Sequence, residues 1–204
     1  MSKIENINKY LKNAKINNQQ LKKICYFFAY DFTASATAKE LALSRQTINS
    51  YYKMMREFLI ETQDSKNYIN LNKMYCKESF IIKYFRLGTH VIYYIQHNDM
   101  FYILDELDGK LEKIYDVINA HIKNSLISNK KANSAKIFYD SQAKEYFVST
   151  FFSTINTHEE FIVQRLKKFR GLNKHNNKIH VKESIIRYQH NKDFLFKSLY
   201  SIFH

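Results

Sequence analysis

The feature that most constrains this chain is an apolar stripe in the stretch from Arg45 to Leu59. Apolar side chains recur there at intervals of four and three residues: Ile48, Tyr52, Met55 and Leu59. This spacing places all four on one face of an α-helix. Ser44 directly precedes the helix, and its hydroxyl is expected to accept a hydrogen bond from an otherwise unpaired backbone N–H group. The stripe therefore predicts a capped helix that buries one side in a core.

Two shorter helices are predicted upstream of this one. Ala34 to Ala42 forms a short helix with Ala38 and Leu41 as its apolar contacts, and a turn at Leu43 and Ser44 follows. An earlier helix is defined by five apolar residues: Leu21, Ile24, Cys25, Phe28 and Ala29. Three helices with a tight turn between the last two are typical of a helix-turn-helix domain.

The face opposite the apolar stripe is polar and basic. It carries side chains of the types that bond base edges and phosphates: Arg45, Gln46, Thr47, Asn49, Ser50, Lys53 and Arg56. Most of them lie in the N-terminal half of the helix, where a recognition helix enters the major groove of DNA. The pattern predicts binding to duplex DNA, and the alternative is a plain surface helix with a polar outer face.

The net charge of +13 points to the same class of partner. Residues 1–62 carry +5, from 10 basic and 5 acidic side chains, and residues 161–204 carry +8, from 10 and 2. The middle, residues 63–160, is neutral, from 12 and 12. Lys and Arg at this density favour a polyanion and predict an affinity that falls with salt. An anionic membrane surface fits less well, because the basic C-terminal segment is not a clean amphipathic helix.

The sequence also indicates the compartment. The N-terminus is polar and there is no run of about 18 apolar residues, so we expect a soluble, cytoplasmic, nucleoid-associated protein without membrane contact. Cys25 and Cys76 lack the spacing of metal ligands, and the apolar run around Cys25 favours a buried position. No cofactor is expected for a protein that only binds.

A polar linker is predicted over residues 63–75. After it, the spacing of apolar residues changes from one typical of helices to one typical of strands. Strands rich in Ile, Phe, Tyr and Val are predicted over four stretches: 79–86, 90–97, 100–107 and 135–139. Asn98-Asp99 is a two-residue turn between the second and third strands, and residues 110–124 predict a helix before the last strand. Three antiparallel strands, a helix and a strand that ends at Asp140 follow the order of an RNase H-like core.

The chain is therefore predicted to be α+β. A tri-helical helix-turn-helix domain in residues 1–62 is followed by a shortened RNase H-like domain in residues 76–204, which ends in basic C-terminal helices. The basic segment is expected to add phosphate contacts through Lys167, Lys168 and Arg170.

Three stretches carry a resemblance to DDE-type insertion-sequence transposases, the group with an N-terminal helix-turn-helix and an RNase H-like domain. The family's recognition helix is matched in pattern by LSRQTINSYYKMMRE. Its central hairpin is similar to VIYYIQHNDMFYILDEL, and its basic C-terminal segment resembles LKKFRGLNKHNNKIHVKESIIRYQHN. The similarity is spread over most of the chain.

The resemblance implies a catalytic site of three carboxylates that hold two Mg²⁺ or Mn²⁺ ions about 4 Å apart, and here the sequence departs from the family. Lys77 stands where the first acid is expected, and a lysine repels a metal ion. Asp140, in Phe-Tyr-Asp-Ser, matches the second acid, a metal ligand if the enzyme is active. The third motif aligns with Ser153 and Asn156, and the acids Glu159 and Glu160 lie nearby.

We therefore expect a sequence-specific duplex DNA-binding protein that is derived from a transposase and has lost catalysis, as a regulator or a domesticated relic. One alternative is an active transposase that uses Mg²⁺ with Asp140, Glu160 and a third acid that the sequence does not identify. A second alternative is an interaction protein whose basic surface binds RNA or an acidic partner. Because helix-turn-helix proteins and transposases usually read paired sites, a homodimer is a candidate assembly.

Overall fold

A computed structural model of the chain describes residues 16–74, 79–87, 90–97, 100–104, 116–117, 122–169 and 174–203. Within these ranges the chain combines helices with a five-stranded antiparallel sheet, which confirms the predicted α+β class. The chain divides into two compact units. The helical unit comprises residues 1–62 and 186–204, and the sheet unit comprises residues 63–185.

The helices that the structure describes are α1 (Asn18–Ala29), α2 (Ala34–Leu41), α3 (Arg45–Met74), α4 (Lys123–Ser128), α5 (Thr157–Leu166), α6 (Lys174–Gln189) and α7 (Lys192–Tyr200), with a 3-10 turn at Ser201–Phe203. The strands are β1 (Phe80–Leu87), β2 (His90–His97), β3 (Met100–Ile103), β4 (Ser134–Asp140) and β5 (Glu145–Phe151). The unit boundaries fall inside α3 and α6, so each of these helices contributes residues to both units.

Short polar side chains start the helices of the helical unit. Asn17 Oδ1 accepts a hydrogen bond from Gln20 N at 2.9 Å, and Gln20 Oε1 accepts one from Asn17 N in return, which is a capping box. Thr33 caps α2. Ser44 Oγ accepts a hydrogen bond from Thr47 N at 3.0 Å, so the predicted cap of α3 is confirmed.

The first three helices share one core. All four residues of the predicted stripe on α3 are buried in it, and so are the five apolar residues predicted for α1. On α2, Ala38 is buried and Leu41 is half-buried. A buried contact of 2.7 Å between Thr37 Oγ1 and Tyr52 OH joins α2 to α3 across the turn.

The C-terminal segment completes this core. Ile186, Leu195 and Leu199 are buried among the residues of α1 and α3. Residues 186–204 were predicted to belong to the second domain, whereas in the structure they belong to the helical unit. The apolar spacing in α7 indicates that this helix buries one face, but it does not identify the core that receives the face, since that contact is long-range.

Helix α3 continues through the segment that was predicted to be a linker. Residues 63–74 are helical, and α3 ends at Met74. Gln63 and Lys66 have good helix propensity, and neither Pro nor Gly interrupts the stretch. Polarity alone therefore does not end the helix.

The sheet has the strand order β3-β2-β1-β4-β5, and every neighbouring pair is antiparallel. Successive side chains of each strand face opposite sides of the sheet. On one face, Ile82 packs in a core with Leu126 of α4. On the other face, Phe85 packs in a core with Ile162 of α5 and Val181 of α6. Helices thus cover both faces of the central strands.

The predicted strands correspond to β1, β2, β3 and β4, although β3 ends at Ile103 rather than at residue 107. Strand β5 was not predicted, because nearly all its residues are exposed and its sequence shows no alternation of apolar and polar residues. The predicted turn at Asn98-Asp99 and most of the predicted helix over residues 110–124 lie outside the described residues.

Candidate nucleic-acid interface

The first turns of α3 have a polar outer face and a buried inner face. Ile48 and Tyr52 are buried behind this face. In front, Arg45, Gln46, Asn49, Ser50 and Lys53 line an open depression with a volume of about 420 Å³. We call these five residues the α3 surface. The structure therefore brings together five of the seven contact residues that the sequence predicts on this helix.

Four residues of the α3 surface are exposed. Within the part of the chain that the structure describes, Arg45, Gln46, Asn49 and Lys53 make no hydrogen bond or ion pair through their side chains. The set combines two cations with two carboxamides, each of which carries both a donor and an acceptor. Groups of this kind bond phosphates and base edges.

The other predicted contact residues of α3 are engaged within the protein. Thr47 Oγ1 and Ser44 Oγ lie 2.8 Å apart, and Ser50 Oγ donates to a backbone carbonyl one turn earlier at 3.1 Å. The half-buried Arg56 places its guanidinium 5.9 Å from the centre of the Phe28 ring. These three side chains help to build the helical unit.

Charge supports an anionic partner for the helical unit. The unit contains 13 Lys and Arg residues against 6 Asp and Glu residues, a net charge of +7. Lys167 and Lys168, predicted as further DNA contacts, are exposed at the end of α5 in the sheet unit. Arg170, predicted with them, lies outside the described residues.

Asp140, which matches the second acid of the transposase family, closes the hairpin between β4 and β5. Its Oδ1 atom accepts hydrogen bonds from the backbone N–H groups of Gln142 and Ala143, at 2.7 and 3.1 Å. Lys144 ends the turn with a left-handed backbone, at φ 55°. This turn accounts for an acid at position 140 on structural grounds.

The neighbouring acids at the start of α5 differ in environment. Glu160 is exposed, whereas Glu159 is buried. Glu159 accepts a hydrogen bond from Tyr94 OH, and its Oε1 atom lies 3.4 Å from Lys83 Nζ. Lys83 and Tyr94 are directly opposite each other on β1 and β2, so both reach the same carboxylate. Burial, together with the bond to Glu159, raises the pKa of the Tyr94 hydroxyl above its usual value.

These acids do not fit the two-ion site that the resemblance implies. Among the described residues, no three His, Cys, Asp or Glu side chains are grouped so that they can hold a metal ion. Glu159 is paired with a lysine ammonium instead. Lys77, at the expected position of the first acid, lies outside the described residues.

The Lys83–Glu159–Tyr94 cluster was not predicted from the sequence, although two signals for it are present. Asn156 and Glu159 have the spacing of a capping box, and both bonds form: Asn156 Oδ1 accepts from Glu159 N at 2.8 Å, and Glu159 Oε2 accepts from Asn156 N at 3.3 Å. Lys83 stands among apolar residues in a strand, and a lysine that is buried there needs a partner of opposite charge.

No protein-family model matches this chain, and neither does any curated protein or any solved structure. The resemblance to transposases thus has no support outside the three stretches that carry it. None of the helices within the described ranges is both long and apolar enough to cross a membrane.

Proposed function

We propose that this protein binds duplex DNA through the α3 surface, in the manner of a helix-turn-helix domain. The proposal rests on one observation: a firmly held helix carries polar side chains that have no partner among the described residues. The Ser44 cap and the Thr37–Tyr52 contact fix the start of α3. An α-helix fits the major groove, which is about 12 Å wide, so the outward side chains meet base edges there.

A duplex is favoured over the two other anionic partners that the sequence left open. The major groove of A-form RNA is too deep and narrow for side chains to read, and an acidic protein offers no base edges to the carboxamides of Gln46 and Asn49. The net charge of +7 on the helical unit supplies attraction to phosphates. A homodimer that reads paired half-sites is compatible with this mode of binding.

We also propose that the sheet unit descends from the RNase H-like domain of a transposase and has lost catalysis. The descent rests on the sequence resemblance alone. Loss of catalysis is supported by the engagement of Asp140 in its turn and by the pairing of Glu159 with Lys83. Such a protein would act as a regulator or would be a domesticated relic of the transposase.

Selection from a random duplex library by the purified full-length protein tests the binding proposal. We expect one enriched sequence. Unlabelled duplex DNA of that sequence should displace the bound duplex from the protein better than structured RNA does. The Arg45→Ala/Lys53→Ala variant should bind it at least about tenfold more weakly. The Lys130→Ala/Lys131→Ala variant removes the same charge from exposed positions of the sheet unit and should bind within about twofold of the wild type. Failure to enrich any duplex, or a preference for RNA, would reject the proposal.

Incubation of the selected duplex with Mg²⁺ or Mn²⁺ separates a binding protein from an active transposase. We expect no new strand ends. Strand cleavage that is lost in Asp140→Ala and Glu160→Ala, with duplex binding unchanged, would show that catalysis survives.

A further inference from the structure

We infer that the α3 surface reads two neighbouring adenines in the major groove, through the carboxamides of Gln46 and Asn49. The inference rests on the proposed function and names the bases that the same surface recognises. Gln46 and Asn49 are three residues apart, so they are neighbours on the surface of the helix. Both are exposed, and neither side chain has a partner in the described part of the chain.

The chemistry of a carboxamide selects adenine among the four bases. Its oxygen accepts one hydrogen bond and its NH₂ group donates, and adenine offers a matching pair in the major groove, the N6–H donor and the N7 acceptor. Guanine presents two acceptors, which leaves the carboxamide oxygen without a donor. Cytosine presents only a donor and thymine only an acceptor. Adenine is therefore the one base that satisfies both ends of the group.

The positions of the two carboxamides match adjacent base pairs. Three helical residues span about 4.5 Å along the axis, and successive base pairs are about 3.4 Å apart. A helix that follows the groove therefore brings Gln46 and Asn49 to neighbouring steps.

The remaining polar side chains of the helix take other roles. The hydroxyls of Thr47 and Ser50 are already used in contacts within the helix and its cap. Arg45 precedes the carboxamide pair and Lys53 follows it, so their cations are placed to bond phosphates on either side. Base recognition thus falls to Gln46 and Asn49.

Base analogues test this assignment on the duplex that the wild-type protein selects. Replacing an adenine by 7-deazaadenine removes the N7 acceptor but keeps the base pair. At two adjacent adenines we expect the wild-type affinity, measured by fluorescence anisotropy, to fall about three- to tenfold. Asn49→Ala should be insensitive to the replacement at one of these adenines, and Gln46→Ala at the other. Gln164→Ala, an exposed control on α5, should keep the wild-type sensitivity at both.

The outcomes separate this inference from the proposed function. If the selected duplex has no adjacent adenines, or if both variants keep the wild-type sensitivity at every adenine, the base assignment is overturned while duplex binding stands. If the wild-type protein selects no duplex, the proposed function fails and the base assignment fails with it.

Discussion

Arg187 donates a hydrogen bond of 2.8 Å to the carbonyl oxygen of Phe28, at the last turn of α1. The same guanidinium donates to the carbonyl oxygen of Ala29 at 3.0 Å and lies 4.6 Å from the centre of the Phe28 ring. Carbonyl groups at the end of a helix lack some of their partners within that helix. The Phe28 oxygen also accepts from Asp31 N at 3.0 Å, and Arg187 adds a charged donor to it and to the Ala29 oxygen. Residues at the C-terminal end of α6 are therefore part of the core that supports the α3 surface.

Replacing Arg187 by glutamine should destabilise the helical unit. The Arg187 side chain is only 6% exposed, so the variant leaves two buried carbonyl groups without their charged donor. We expect the free energy of unfolding to fall by about 2 kcal/mol, measured by urea denaturation with circular dichroism. Lys197→Gln, at an exposed position of α7, is the matched control and should change stability by less than about 0.5 kcal/mol. Equal stability of the two variants would contradict the role of Arg187.

The left-handed backbone of the residue that follows α2 predicts opposite effects of two glycine substitutions on the free energy of unfolding. Ala42 has φ 53°, and Leu43 N donates to Ala38 O at 3.0 Å across this turn. Ala42→Gly should raise the free energy of unfolding by about 1 kcal/mol, because glycine adopts this conformation without steric cost. Ala36→Gly, at an exposed position inside the same helix, should lower it by about 0.5–1 kcal/mol. A loss of stability in both variants, seen in thermal or urea unfolding, would argue against strain at Ala42.

The buried ion pair of the sheet unit predicts that the stability effects of substituting its two residues are not additive. The side chains of Lys83 and Glu159 are each 5% exposed. Lys83→Met leaves the Glu159 carboxylate buried without its counter-charge and should cost about 3–5 kcal/mol. The Lys83→Met/Glu159→Gln variant removes both charges and should be more stable than Lys83→Met alone. A double-mutant cycle measures the coupling, and simple addition of the two single effects would refute the pairing.

The buried thiol of Cys25 is expected to make the protein less stable at alkaline pH. Burial raises the pKa of the Cys25 thiol from 9.0 to about 12. The unfolded chain therefore releases this proton first, so the native state holds more protons between these two values. The contribution is fully present below about pH 9 and is lost as the pH rises towards 12, by at most about 1.4 kcal/mol per pH unit.

Urea unfolding at several alkaline pH values measures this contribution, in a Cys76→Ser background that leaves Cys25 as the only thiol. Cys25→Ala in the same background retains every other titrating group. The difference in unfolding free energy between the two proteins should shrink as the pH rises through this window. A constant difference would show that the Cys25 thiol ionises alike in both states.

Local patterns in the sequence were sufficient to predict the helical unit up to Leu59. The stripe on α3, the Ser44 cap and the apolar residues of α1 depend on neighbours within a few positions, and all are as expected. The membership of α7 in the same core was missed, because Leu195 and Leu199 meet residues that lie far away in the sequence. The expected linker was missed for a different reason, since polar residues without Pro or Gly extend a helix readily.

The residue types of the candidate site could be predicted from the sequence, but which side chains are engaged or buried could not. The sequence predicts seven polar side chains on one face of α3. Only the structure distinguishes the four that have no side-chain partner among the described residues from Thr47, Ser50 and Arg56, which are engaged. In the sheet unit, Lys83 and Glu159 are 76 positions apart, because the first stands on β1 and the second on α5. No local pattern pairs them, so the acid that is buried was not distinguished from Glu160 beside it.

The salt dependence of duplex affinity tests the central claim, binding through the α3 surface, most directly. Fluorescence anisotropy on the selected duplex between about 50 and 200 mM salt should give a linear decrease of log affinity with log salt concentration for the wild type. The Arg45→Ala/Lys53→Ala variant should lower the magnitude of this slope by about 2, one for each lost phosphate contact. The Lys130→Ala/Lys131→Ala control should keep the wild-type slope. Equal slopes in all three proteins, or the same reduction in both variants, would contradict binding through the α3 surface.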